Sequence, residues 1–320
     1  MKVGFIATVF MSYGGTETWH RTLLPHIEGL SHFCVFGQCE GDTAWLPPNV
    51  KFLRGLKGTI KTLQECDIVI AWGITNINNL KYQAGVNTPV IAVHHGDPTS
   101  VWAKNCINAV KPHVARIVAV HPEVARLHDC DWIANSIDPQ RIVPKQDPQQ
   151  LRQRWGLGDK KVCLWLARYS SEKNPYLAQR IAAHLPDDWV MVMAGKPIEG
   201  FKKALPAIHV GQAHPGDWLQ LASCFLSTSD QEGFGLSIGE AMLAKVPVVG
   251  TPVGLCTYPG VCKTFNIRTG RDNIAALIST PPPENQIEAA HQLASSFSIN
   301  TQATKWNNLI KETHTLAIIP

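Results

Sequence analysis

The sequence predicts an α/β protein with two parallel-sheet domains, and three observations carry that expectation. Its 320 residues exceed the size of one compact domain, so two halves of roughly 150 residues each are expected. Short β-branched runs alternate with helix-like segments, the signature of strand-helix-strand units around parallel sheets. Near the midpoint lies a polar stretch of linker composition, Pro144-Lys145-Gln146-Asp147-Pro148-Gln149-Gln150.

Taken in order, strands are expected at Lys2 to Ala7, Phe33 to Phe36, Ile68 to Trp72, Val90 to Val93 and Ile117 to Val120, within a first domain of residues 1–147. A second domain, 148–302, follows with strands at Val162 to Leu166, Val190 to Ala194, Cys224 to Ser227 and Val246 to Val249. The segment Thr304 to Glu312 reads as an amphipathic helix after a long loop. A C-terminal helix over about 303–320 is therefore expected to pack back onto the first domain.

Composition narrows the classes of function. With 45% hydrophobic and 17% charged residues the chain is an ordinary globular sequence, and disorder is excluded. A net charge of +4 with no dense Lys/Arg run argues against nucleic acid as a partner. None of the nine cysteines forms a C-x-x-C pair, and several sit in apolar runs such as Val162-Cys163-Leu164-Trp165, which suits reduced core thiols of a cytoplasmic protein. The opening run Val3 to Ala7 is too short for a signal peptide, and no stretch reaches the 18 or so apolar residues of a membrane span. Attachment to a membrane surface stays compatible with this composition.

The chemistry concentrates between Ser227 and Met242, where an apolar strand runs through Asp230-Gln231-Glu232-Gly233-Phe234-Gly235-Leu236 into a helix. A helix start at the carboxyl end of a parallel strand offers unpaired N-H groups to a phosphate. Two carboxylates flank it. Glu240 also fits a capping box, Ser237-Ile238-Gly239-Glu240, and Glu232 fits a solvated loop acid, so each has a purely structural reading beside the functional one. Upstream, Leu166-Ala167-Arg168-Tyr169-Ser170-Ser171-Glu172-Lys173 puts two cations on a loop after a strand, where the bland reading is a pair of surface charges with Lys173 against Glu172.

Glu232 and Glu240 with the following Val246-Pro247-Val248-Val249 resemble the E-x7-E signature of retaining GT-B glycosyltransferases of the GT4 type (glycosyl transferases group 1), and Arg168 with Lys173 resembles the diphosphate-binding pair of that family. The resemblance implies a GT-B fold of two Rossmann-like domains. It implies that Glu232 contacts the donor sugar near its reacting carbon and that Glu240 accepts hydrogen bonds from the ribose hydroxyls. Carboxylates suit both roles as acceptor-only groups. Fixed cations at Arg168 and Lys173 would stabilise a departing nucleoside diphosphate without a metal ion.

Further matches follow the family's order along nearly the whole chain. Gly14-Gly15-Thr16-Glu17 resembles its G-G-x-E element, with Thr16 placed to cap the next helix, although a plain tight turn fits equally. His94 and His95 end a predicted strand, and one of them corresponds to a histidine that in relatives lies near sugar and acceptor. Asn135-Ser136-Ile137-Asp138 resembles N-G-I-D. The chain departs from the family at Lys245, where Gly is common, at Gly254 to Tyr258, which lacks G-G-x-x-E, and at Lys196-Pro197-Ile198 in place of a Gly-rich turn.

Other classes were weighed on the same residues. Gly233-x-Gly235-x-x-x-Gly239 lacks the downstream acid of a dinucleotide fingerprint, and Asp129-Cys130-Asp131 has no third ligand near it for a metal. The expectation is a glycosyltransferase with a UDP- or GDP-linked sugar as substrate and no cofactor or metal, acting on a saccharide, lipid-linked or other small acceptor. The donor site would comprise Gly14, Gly15, Arg168, Lys173, Glu232, Gly233, Phe234, Gly235, Leu236 and Glu240, in a cleft that closes on the substrate. A nucleotide-sugar epimerase of the same fold, which alters the donor without an acceptor, and a noncatalytic sugar-binding homologue are the alternatives.

Overall fold

A computed structural model gives the fold. It describes residues 1–320 except 12–13, 74–75, 99–100, 199, 205 and 319–320, and it leaves the side chains of 102, 103 and 318 undescribed. The chain divides into two compact units: residues 1–136 with 297–320, and residues 137–296.

In the first unit a parallel sheet of seven strands is built from β1 (Val3–Ala7), β2 (Leu30–Val35), β3 (Lys51–Arg54), β4 (Ile68–Trp72), β5 (Val90–His94), β6 (Arg116–Ala119) and β7 (Asp131–Trp132). Their order across the sheet is β3-β2-β1-β4-β5-β6-β7. The second unit holds β8 (Lys161–Leu166), β9 (Trp189–Ala194), β10 (Ile208–Gly211), β11 (Ala222–Ser227), β12 (Val248–Gly250) and β13 (Lys263–Thr264), ordered β10-β9-β8-β11-β12-β13. Both orders reverse direction beside their first strand, at β1/β4 and at β8/β11. Crevices at the carboxyl ends of such switch points are where open α/β sheets bind ligands.

Continuous apolar runs explain the central strands. Every residue of β1 is buried, as a parallel strand covered on both faces requires. Phe5, Phe10, Phe33, Trp19, Leu23 and Leu24 fill the core on one side of this sheet, together with Trp306 from the helix Ile299–Ile318. The expected C-terminal helix thus completes the first unit's core, apart from its last two residues, which lie outside those described. Asn307 fixes its register by donating to the His26 carbonyl at 3.1 Å and accepting from the Glu28 amide at 2.9 Å.

The polar stretch expected as a linker belongs to the second unit. Buried Asp217 accepts from the amides of Lys145 and Gln146 at 2.6 and 2.9 Å, and Asp147 caps the helix Pro148–Trp155 by accepting from Gln149 and Gln150. Low hydrophobicity here reflects capping chemistry.

Lys245, where the family that the sequence resembles commonly has glycine, follows the helix Leu236–Leu243 in a left-handed conformation, φ 58°. Its amide reaches the Met242 carbonyl at 3.0 Å and the Val246 amide reaches Ala241 at 2.9 Å, the two bonds of a Schellman closure. A side chain there costs about 1 kcal/mol, more than its exposed contact with Glu288 returns. Lys245→Gly should therefore raise stability by roughly 0.5 to 1 kcal/mol in chemical denaturation, and a loss of stability would contradict the account.

Candidate active site

In the second unit the site is assembled by the loops that leave β8 and β11 at the switch point. The loop after β8 is anchored by Tyr169, fully buried, whose hydroxyl lies 3.2 Å from the Met193 carbonyl and 2.9 Å from His209 Nδ1. It then makes a single 3-10 turn, Ser171–Lys173. Thr228, just past β11, clamps that turn: its hydroxyl donates to the carbonyls of Lys173 and Asn174, at 2.8 and 3.1 Å, and accepts from Trp165 Nε1 at 2.9 Å. The Asp230 amide adds a bond to the Glu172 carbonyl at 2.8 Å. Burying the Trp165 ring removes about 200 Å² of surface, worth roughly 5 kcal/mol, so the clamp hangs from a strongly held group.

This arrangement brings Lys173 and Glu232 together. Lys173 Nζ lies 2.6 Å from Glu232 Oε1, which also accepts from Ser229 Oγ at 2.9 Å, and the two side chains are only 14% and 13% exposed. The bland readings of both residues fail here: Glu232 is not a solvated loop acid, and Lys173 pairs with Glu232 and not with Glu172. Glu172 is instead the partner of Arg168, Nη2 to Oε1 at 3.3 Å, and Arg168 remains 58% exposed.

Gly233 and buried Phe234 lead to Gly235, whose φ of 87° only glycine adopts readily, and Leu236 opens the helix Leu236–Leu243. That helix has no side-chain cap, so no cap side chain accepts from the first amides of its opening turn. The capping-box reading of Ser237 and Glu240 is thereby corrected. Gly235 occupies the cap position, and Ser237 already lies inside the helix, where its side chain cannot accept from the third residue onward.

Glu240 is 3% exposed and bonds Arg141 Nε through Oε1 at 2.5 Å. Burial pushes its carboxyl up from the ordinary range, while Arg141 opposes that push. Arg141 and the clamp residue Thr228 escape a reading of sequence. Arg141 follows Asn135-Ser136-Ile137-Asp138 by three positions, so that motif, carried three residues further, is the signal that could have found it.

The first unit holds the remaining candidates. Gly14 is the cap of the helix Gly15–Leu23, so the expectation that Thr16 caps it is corrected: Thr16 lies one residue inside the helix and is half-buried. The carboxylate of buried Glu17 folds over Gly14, accepting from the Met11 amide at 3.2 Å, and a Cβ on Gly14 would lie 2.2 Å from Glu17 Oε2. Glycine is favoured there by the backbone angle, φ 151°, since the Glu17 carboxylate could shift aside for a Cβ.

His94 ends β5, and His95 follows with its ring edge-on to Trp19 at 4.7 Å. Both line a cavity of about 190 Å³ at the carboxyl ends of β4 and β5, with Trp72, Val93 and Ile107 among its other walls. Burial lowers the His94 imidazole to about 4 and the His95 imidazole to about 3, each with a lesser push from a neighbouring histidine, so both are neutral near pH 7.

Asp129 and Asp131, the D-x-D pair, are occupied structurally. Asp129 ends the helix Pro122–His128 at φ 48°, and Asp131 lies 3.7 Å from Arg116. Among the described residues no three His, Cys, Asp or Glu side chains gather as a metal site would need. No described helix is long and apolar enough to cross a membrane.

Comparison with known proteins places these features in context. Residues 160–293, the region of Arg168, Lys173, Glu232 and Glu240, match the family described as Glycosyl transferases group 1. A curated relative, the lipopolysaccharide core biosynthesis mannosyltransferase LpsB of Rhizobium meliloti (strain 1021), is 30% identical over 142 residues, covering 38% of this chain and 40% of that protein. The match therefore spans less than half the length of that relative.

Solved structures of similar fold include Anabaena Alr3699/HepE in complex with UDP and glucose, with a TM-score of 0.80 at 16% identity over 98% of this chain and 100% of that one. They also include the lipopolysaccharide outer core galactosyltransferase WaaB, with a TM-score of 0.66 at 17% identity over 98% and 99%. At these identities the likeness establishes the fold, which is GT-B.

Proposed function

We propose that this chain, whose residues 160–293 carry a glycosyl transferases group 1 domain within a GT-B fold, transfers a sugar from a nucleotide-diphosphate sugar to an acceptor hydroxyl with retention of anomeric configuration. The observation that carries the reading is the Lys173-Glu232 contact, held by Thr228 and Ser229 at the β8/β11 switch point beside an uncapped helix start.

In the donor complex, Lys173 and the more exposed Arg168 fork bind the diphosphate. Glu232 faces the sugar ring, and Glu240 accepts from ribose hydroxyls. The acceptor oxygen attacks the anomeric carbon as its bond to the diphosphate breaks, and the acceptor's proton passes to the departing phosphate oxygen. Charge that gathers on the leaving group meets cations already in place, the condition under which electrostatic stabilisation is largest. Those two cations take the role a metal would fill, so transfer should survive exhaustive EDTA treatment. Nine unpaired thiols suit a reducing cytoplasm, where nucleotide sugars are made.

Two measurements test the proposal. A thermal-shift screen of UDP- and GDP-linked sugars should give one selective stabiliser, worth about 2.7 kcal/mol at a hundredfold excess over its Kd; UDP comes first because the Anabaena structure of this fold holds it. Absence of stabilisation by any nucleotide sugar would remove the donor assignment. Proton NMR of the fresh product should show an α linkage from an α-linked donor, and a β linkage would mean an enzyme base acts on the opposite face.

A further inference from the structure

Glu240 reaches its place because the residues before it leave no room for solvent: Gly239 packs so closely on Ile137 and Leu255 that a Cβ there would lie 2.5 and 3.0 Å from their side chains. A carboxylate so placed costs several kcal/mol unless an opposite charge accompanies it. The accompanying charge is Arg141, in the 3-10 turn Pro139–Ile142, and that turn is itself built to hold it. Pro139 opens the turn, Asp138 Oδ1 accepts from the Gln140 amide at 2.9 Å, and the Arg141 amide bonds the Asp138 carbonyl. The described contact joins Nε of the guanidinium to Oε1 of Glu240 and does not involve Oε2.

We propose that Arg141 is a positioning residue for the donor: it holds the Glu240 carboxylate ionised and aimed, so that Oε2 can accept from ribose hydroxyls. The inference rests on the donor reading above. An ionised carboxylate is acceptor-only and grips paired hydroxyls; once protonated, it presents a donor of its own and loses part of that grip. Burial and the like charge of Asp138 both push Glu240 toward the protonated form, and Arg141 is the charge that opposes them.

The other elements packed on this helix add little. His214, at the head of the helix Pro215–Leu219, faces Arg141 and is held neutral by burial, and the helix Glu284–Ser296 spends Glu288 on Lys245 and His291 on the Leu243 carbonyl. Strand β11 and the turn Gly254–Thr257 bring only the buried thiols of Cys224 and Cys256.

The test is the Kd of UDP and of GDP, by calorimetry at pH 6, 7.5 and 9, for the wild type, Arg141→Met and Arg141→Lys, each checked by melting. Since the nucleotide titrates identically in all three, the ratio of variant to wild-type Kd is what is read. Arg141→Met should bind the preferred nucleotide more weakly by at least about tenfold at pH 6, recovering toward wild type by pH 9, while Arg141→Lys stays within about threefold throughout.

A deficit in Arg141→Met that is the same at every pH, or no deficit, overturns the inference and leaves the donor reading standing. Failure of the wild type to bind either nucleotide overturns the donor reading instead, and this inference with it. Should Arg141→Met not fold, carboxyl NMR of Glu240 in the unliganded wild type decides: it should stay ionised from pH 6 to 9, and titration within that range overturns the inference.

Discussion

Lys173→Met lowers kcat/KM for the nucleotide sugar by about 10² to 10³, equivalent to roughly 3 to 4 kcal/mol, the scale of removing one preorganised charge from a closed site. Two losses combine. The departing diphosphate would lose its cation, and Glu232, only 13% exposed, would lose the charged partner at 2.6 Å that sets its position.

Glu232→Gln should cost comparably, and the double variant should cost far less than the two singles together, because the pair acts as a unit. Arg168→Ala should fall lower, about 2 kcal/mol, since its side chain is 58% exposed and must be drawn to the phosphate on binding. Initial-rate kinetics on the four variants decide the matter. Near-normal kcat/KM in Lys173→Met, or additive losses in the double variant, would defeat the assignment.

The first unit should unfold in mild acid while the second remains folded. His94 is buried and His95 half-buried, both neutral, and each binds its proton in the unfolded chain near pH 6.5 but in the folded one only near 4 and 3. Below pH 6.5 the unfolded state therefore holds more protons, and stability falls as pH falls. At pH 4.5 each contributes a loss of up to about 2.7 kcal/mol, and the pair together approaches the whole margin of a typical domain.

His20 adds to this, fully buried among Phe5, Phe10 and Trp72 with its imidazole held well below its usual range by burial first and His95 second. In the second unit His209 and His214 shift the same way, but both are part-exposed and cost less. Calorimetry from pH 7 to 4.5 should show one transition moving down ahead of the other, and His95→Gln should narrow the gap. Two transitions that move together would refute the assignment of acid sensitivity to these histidines.

The central strands were legible because burial on both faces writes itself as unbroken apolar sequence: β1, β4, β5, β8 and β11 all lie within a residue or two of their expected bounds. Edge strands β3, β7, β10 and β13 were not, since Lys51-Phe52-Leu53-Arg54 and its counterparts are short, half-exposed and carry no such run. Val246 to Val249 was placed early because Val246 closes the preceding helix and β12 begins only at Val248.

At the candidate site the residue types were readable but their partnerships were not. Lys173 and Glu232 stand 59 positions apart and meet only through the Thr228 clamp, and Arg141 lies 99 positions from Glu240. The Thr16 and Ser237 caps misled for one shared reason: in both helices a glycine takes the cap position, at a backbone angle sequence spacing does not encode.

Trp306 has a bearing on how the chain matures on the ribosome. Most of the first unit, residues 1–136, precedes the second, yet its core includes an indole supplied after residue 297, when the whole of the second unit has already been made. Domains ordinarily complete in N-to-C order at several residues per second. Here the second unit has all its parts first, and Trp19 gains its Trp306 neighbour only once the segment after residue 297 has been made.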